Sequence, residues 1–176
     1  MPNTALQYQN VISECREIFR RKTMDYGTSW RVLRMISITD QIFIKALRIR
    51  TIQEKGEQKI DDSVQGEWKA IVNYGLIALI QHQLASNSEW ELPEEEALHY
   101  YDKHATETFQ LMEAKNHDYG EAWRDMSAES FADLILTKTL RIKQILANNG
   151  QTQISEGIDS NFRDIINYAV FALILY

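Results

Sequence analysis

Two short segments carry the residue types from which a binding or reacting site could be built. Lys22-x-x-Asp25-Tyr26-Gly27-x-x-Trp30-Arg31 sets an ammonium, a carboxylate, a phenol, an indole and a guanidinium around one glycine. The set returns 93 positions later as Lys115-x-x-Asp118-Tyr119-Gly120-x-x-Trp123-Arg124. In a functional reading Tyr26, Tyr119, Trp30 and Trp123 are stacking surfaces for a base, and Asp25 and Asp118 meet a ribose or a metal ion. The plainer alternative is a glycine-terminated helix whose Tyr and Trp fill the gap between helices while Lys and Asp stay in water.

A second cation set follows each first one. Lys45-x-x-Arg48 and Lys138-x-x-Arg141 each lie on one helix face, and apolar residues surround them, so these charges need anionic partners. Those partners are either phosphate oxygens, with Arg bidentate and Lys a point charge, or protein carboxylates in buried ion pairs. Further on, Asn73-Tyr74 and Asn167-Tyr168 interrupt apolar faces, where a buried Asn must hydrogen-bond to neighbouring helices. Upstream of Asn167 stand Glu156 and Asp164, eight residues apart, which on one helix differ by about 80° and face one pocket. As hard oxygen ligands they suit Mg²⁺ rather than Zn²⁺. The first copy has Asp62 opposite Glu156 but Ala70 opposite Asp164, so a metal site is expected in the second copy only.

The elements that must position these groups follow from the same repetition. Of the 28 positions from Lys22 to Ile49, thirteen are identical in the second copy, including Ser37/Ser130, Asp40/Asp133 and Leu47-Arg48-Ile49/Leu140-Arg141-Ile142. After one inserted residue the register becomes 94, and Ala78-Leu79-Ile80 returns as Ala172-Leu173-Ile174. The repeat is therefore a whole structural unit. Apolar spacing predicts helices over about 4–25, 37–55 and 64–85, and then to about 118, over 130–148 and from about 160 onward. Gly27, Gly56, Gly120 and Gly150 are the expected stops, and Ser37-x-x-Asp40 and Ser130-x-x-Asp133 the expected caps. The expectation is an all-α fold of six main helices, from two three-helix repeats over 4–86 and 93–176. They pack about a pseudo-twofold axis as a single domain, 1–176, because about 80 residues alone make a marginal core. Trp90, in the linker, is expected to pack the copies together.

Composition narrows the function classes. Charged residues at 25% and hydrophobic ones at 44% are ordinary globular values. A net charge of −6 speaks against a general nucleic-acid binder, which needs clustered cations, yet allows a small anion held locally. Cys15 is the single cysteine, so no disulfide framework or thiolate cage is expected, and a reducing cytoplasm fits. The apolar runs are too short for a bilayer and no signal segment is read at the N-terminus, so no membrane partner is expected. His82, His99, His104 and His117 share no pattern between copies and are read as structural or solvated. There is no phosphate loop, nucleophile elbow or Cys/His metal spacing.

At Lys-x-x-Asp-Tyr-Gly, followed by Lys-x-x-Arg-Ile and Asn-Tyr, the chain resembles the nucleotide modification associated domain family over about 10–84 and 103–176. The resemblance implies a helical protein linked with modified-nucleotide metabolism. It also implies a pattern similar to the all-α nucleoside triphosphate pyrophosphatases, although their paired acidic motifs are not intact here. Ile44 and Thr137 stand where relatives often carry an acid, and Gly66 and Ser160 where they tend to have Asp. The expected function is nucleotide binding, with Mg²⁺-dependent nucleotide pyrophosphohydrolysis as the candidate reaction and catalysis itself left open. Its expected substrate-binding residues are Lys22, Asp25, Tyr26, Trp30, Lys45 and Arg48, with Lys115, Asp118, Tyr119, Trp123, Lys138 and Arg141. Glu156 and Asp164 would hold the metal. The rival is a non-catalytic helical interaction protein with buried ion pairs; whether the chain forms a homo-oligomer is left open.

Overall fold

The structure, a computed structural model, describes residues 3–151 and 157–176. Six α-helices carry them: α1 (Thr4–Tyr26), α2 (Met35–Lys55), α3 (Val64–Gln83), α4 (Glu94–Tyr119), α5 (Ala128–Ala147) and α6 (Ile158–Leu175). One 3₁₀ turn, Ser29–Val32, joins α1 to α2, and its counterpart Ala122–Asp125 joins α4 to α5. The fold is all-α, and α1–α3 repeat as α4–α6.

Local chemistry sets the ends. Asn3, Ser63 and Ser127 cap α1, α3 and α5 by accepting from the amides of Leu6, Gly66 and Ser130. Three glutamates, Glu94 to Glu96, open α4 where the helix dipole favours negative charge. Gly27 and Gly120 end the first helix of each repeat with the same backbone, φ 63° and ψ −150° against φ 64° and ψ −149°. That region is open almost only to glycine. A side chain at Gly27 would also meet the Glu91 carboxylate at 2.5 Å. The Ser-x-x-Asp segments are not the caps the spacing predicts. α2 begins two residues earlier at Met35, and α5 two residues earlier at Ala128, which places Ser37 and Ser130 inside the first turn.

Asp40 and Asp133 instead join the two halves. Lys143 on α5 reaches Asp40 at 2.9 Å and Arg50 on α2 reaches Asp133 at 3.3 Å. These pairs exchange under the repeat, since Lys143 answers Arg50 and Asp133 answers Asp40. Both are half-exposed, so they orient α2 against α5 more than they stabilise it. Beneath them α2 presents Ile38, Ile42, Ala46 and Ile49, and α5 presents Phe131, Ile135 and Ile142, all fully buried. The outer sides of these helices leave Ile44, Leu47 and Leu140 exposed, so neither helix is buried all round.

α3 and α6 form the other half of the centre. Gly75 lets them approach closely, since a Cβ there would lie 2.5 Å from Ile166 Cγ1. At the same level runs a crossed pair of hydrogen bonds. Asn73 donates from Nδ2 to the Cys15 carbonyl of its own repeat at 3.0 Å and accepts from Tyr101 Oη of the other at 2.8 Å. Asn167 donates to the Thr108 carbonyl at 3.4 Å and accepts from Tyr8 Oη at 2.6 Å. Tyr8 and Tyr101, Cys15 and Thr108 are repeat equivalents. Burial raises both tyrosine pKa values and keeps the phenols as donors. It also pushes the Cys15 thiol up to about 12, out of reach of thiolate chemistry.

The linker is tied to the first repeat rather than between the two. Arg31 donates to the carbonyls of Asn87 and Glu89 at 2.9 and 3.0 Å and to Gln81 Oε1. The Thr28 amide donates to Glu91 at 3.0 Å, and Thr28 Oγ1 accepts from the Leu92 amide at 2.9 Å. Trp90 is 71% exposed and does not pack the copies together; Leu92, 3% exposed, enters the core in its place. In the second repeat Leu175 stands opposite Gln81, and Arg124 turns to Thr4 and Gln7 at the start of α1.

His104 on α4 is 5% exposed, with Nε2 2.7 Å from Gln83 Oε1 and a buried Nδ1 that makes no hydrogen bond among the described residues. Burial pushes its pKa down to about 4, against the opposing pull of Glu107.

Two outcomes follow from this packing. Tyr8→Phe and Tyr101→Phe each leave a buried Asn oxygen without its donor and should each cost about 1–3 kcal/mol in urea unfolding; a negligible change in both would show that the crossed bonds are dispensable. Below the ordinary histidine pKa of about 6.5, the unfolded chain takes up a proton that folded His104 refuses. Stability should therefore fall as pH drops from there to about 4, by at most about 3 kcal/mol, and the slope should flatten in His104→Gln.

Candidate functional site

Each repeat encloses a cavity between the end of its first helix, the glycine turn, the 3₁₀ turn and its third helix. The first measures about 330 Å³ and the second about 340 Å³. Every residue lining the second has its repeat equivalent lining the first: Lys22/Lys115, Tyr26/Tyr119, Gly27/Gly120, Trp30/Trp123, Asn73/Asn167 and Tyr74/Tyr168 form the shared frame. The motif is drawn together because glycine ends the first helix abruptly and turns the chain back, so that Trp lands over the third helix while Lys and Tyr remain on the rim. Tyr26 and Tyr119 are 70% and 77% exposed, whereas Trp123 is buried. Asp25 and Asp118 stand exposed outside both linings, Asp118 3.1 Å from His117 Nδ1.

The Lys-x-x-Arg pairs have protein partners. Lys45 and Arg48 lie 3.8 and 3.4 Å from the Glu67 carboxylate, which is 9% exposed. Arg48 also donates to the Asp62 carbonyl at 2.9 Å, and Lys45 Nζ sits 6.0 Å from the centre of the Tyr74 ring. Lys45 thus stands beyond Tyr74, outside the cavity lining. In the second repeat Lys138, 8% exposed, pairs with Asp164 at 3.0 Å. The other Asp164 oxygen accepts from Lys115 at 2.7 Å. Arg141 is exposed and makes no ion pair among the described residues. Glu156 lies outside the described residues. Among the described residues no three His, Cys, Asp or Glu side chains stand together as a metal cage.

The two acidic partners occupy different positions of the same helix. Asn161 is the repeat equivalent of Glu67, and Ala70 that of Asp164. The carboxylate has moved one turn along the third helix, and it stays on the same face because three residues rotate by about 300°. Comparing the copies position by position hides Glu67; a search for any acid within one turn finds it. A second tie is matched: Lys69 pairs with Glu14 at 3.1 Å and Arg163 with Glu107 at 3.7 Å, fastening each third helix to its own first. Glu14/Glu107 and Tyr8/Tyr101 both keep the 93-residue register upstream of Lys22, a signal present in the sequence but outside the segment compared above.

The indoles differ between copies. Trp123 lies parallel to Phe171, 4.1 Å centre to centre at 6°, and carries the Arg124 guanidinium 4.4 Å from its own ring. In the first cavity Ile77 stands at the position of Phe171, and Trp30 has a ring contact with Phe19, tilted by 43° at 6.0 Å.

A family profile described as nucleotide modification associated domain 1 matches residues 22–82 and again 115–175. These spans take in both glycine turns, both Lys-x-x-Arg pairs and both third helices. No curated protein and no solved structure matches the chain.

Asp164→Asn keeps the shape of the side chain but removes the charge between Lys115 and Lys138, leaving the buried Lys138 ammonium uncompensated. Urea unfolding should show a loss of about 3–5 kcal/mol. A loss below about 1 kcal/mol would mean that Lys138 finds water or another acid.

Proposed function

The chain belongs to the nucleotide modification associated domain 1 family, and on that footing we propose that it serves nucleotide modification as a non-catalytic helical interaction protein. The observation that carries this reading is the neutralisation of its repeated cations. Lys45, Arg48 and Lys138 are matched to Glu67 and Asp164, at 3.8, 3.4 and 3.0 Å. Phosphoryl chemistry depends on cations or metal ions free to meet charge that develops on the transferring group. Here three of the four candidate cations on α2 and α5 already have their counter-charges, withdrawn from water, so admitting a phosphate there would first require breaking those pairs. Asp164 is likewise spent on two lysines rather than presented to a metal.

A second reading, in which a nucleotide is held but not turned over, is favoured by the first cavity. Its volume of about 330 Å³ falls at the lower end of ligand pockets, and Lys22, Tyr26 and Trp30 line it.

The test is to incubate the purified full chain with a panel of nucleoside triphosphates and Mg²⁺ and follow phosphate and pyrophosphate release. The expected result is no release above the protein-free blank. Metal-dependent release that scales with protein concentration and disappears in Lys138→Met would overturn the non-catalytic reading.

A further inference from the structure

Two separate differences between the cavities point the same way. In the second, Asp164 lines the wall and supplies a carboxylate to Lys115 at 2.7 Å. In the first, Ala70 takes that place, Glu67 is engaged a turn away by Lys45 and Arg48, and Lys22 makes no ion pair among the described residues. The second difference concerns the ring. Phe171 lies flat on Trp123, while Ile77 leaves Trp30 without a parallel partner. Arg124 also covers Trp123, whereas Arg31 is turned away to the linker carbonyls. The second cavity therefore contains its own anion against its lysine and its own flat ring against its indole; among the described residues the first contains neither.

We propose that the first-repeat cavity is a binding site for a small molecule that joins one flat ring to one anionic group, and that the second, although about as large, has its lysine and indole already engaged by Asp164 and Phe171. The ligand's anion goes to Lys22, where Asp164 goes to Lys115, and its ring goes to Trp30, where Phe171 goes to Trp123. Tyr26 on the rim closes over the ring. A cavity of about 330 Å³ has room for one base with its sugar and a single phosphate, not for a dinucleotide. This deepens the reading of a nucleotide held without turnover, and it rests on that reading.

The experiment is isothermal titration of the full chain with the 5′-monophosphates of adenosine, guanosine, cytidine and uridine, with the free nucleosides and inorganic phosphate as part-ligands. One site per chain is expected for at least one monophosphate, with each part-ligand at least about tenfold weaker. Lys22→Ala, at an exposed position, should weaken binding at least about tenfold, with its fold checked by circular dichroism. Ala70→Asp, which installs in the first cavity the carboxylate of the second, should do the same, with its fold checked by circular dichroism. Lys115→Ala should leave affinity unchanged. Binding that survives both Lys22→Ala and Ala70→Asp, or that is lost in Lys115→Ala, overturns the assignment of the site while the nucleotide-holding reading stands. Failure of all four monophosphates to bind removes that reading and the assignment with it.

Discussion

The crossed Tyr–Asn hydrogen bonds are the constraint on which the rest of the packing depends. A carboxamide buried between helices has to be satisfied at both ends, and an unmet polar group there costs more than a met one returns. Asn73 and Asn167 solve this by using one end within the repeat and the other across it. Their positions fix the rotation of α3 and α6, so Gly75 faces Ile166 and the aliphatic run that follows turns into the core. Fixing α3 and α6 in turn sets the depth of Glu67 and Asp164, and with it which lysine or arginine each can reach.

Those acids show how a charge balance survives sequence divergence. A buried cation requires a counter-charge but not a particular residue, and a helix offers neighbouring positions three and four apart on one face. Glu67 and Asp164 use two of these positions, and each keeps its lysine paired. The exact position is nonetheless not neutral. From its place Asp164 also reaches Lys115 on the cavity wall, whereas Glu67 reaches Arg48 on the far side. A shift of one turn along the same face therefore changes which cation the acid neutralises, Lys115 at the cavity wall or Arg48 away from it.

Much of the architecture was readable from residue order, because helices are local objects. Apolar spacing located all six, the four positive-φ glycines stand where stops were expected, and the repetition implied the pseudo-twofold arrangement. Reading failed where the partner is distant in the chain. Asp40 looks like half of a capping box until Lys143 is known to lie beside it, and Asp133 until Arg50 does. Trp90 looked like a packing residue by type alone, yet the backbone of the linker is held by Arg31 and Thr28 in a way that sends Leu92 inward instead. For the site, the structure places Lys22, Tyr26 and Trp30 of the motif in one cavity lining. The Lys-x-x-Arg set was read as needing counter-charges, but whether these came from ligand or protein turned on Glu67, whose role is visible only once α2 and α3 are packed.

The reciprocity of the Asn clamp also bears on how the molecule comes apart. If only α1 to α3 were folded, Asn73 would keep its bond to Cys15 but lack the phenol of Tyr101, and Tyr8 would donate to water in place of Asn167. The same holds in mirror fashion for α4 to α6. A half-folded state therefore exposes the apolar α3 or α6 face to water and forgoes the crossed bonds, and both gains return together when the halves close. Such coupling disfavours stable intermediates, so the duplicated chain is built to fold and unfold as one cooperative unit rather than as two successive ones.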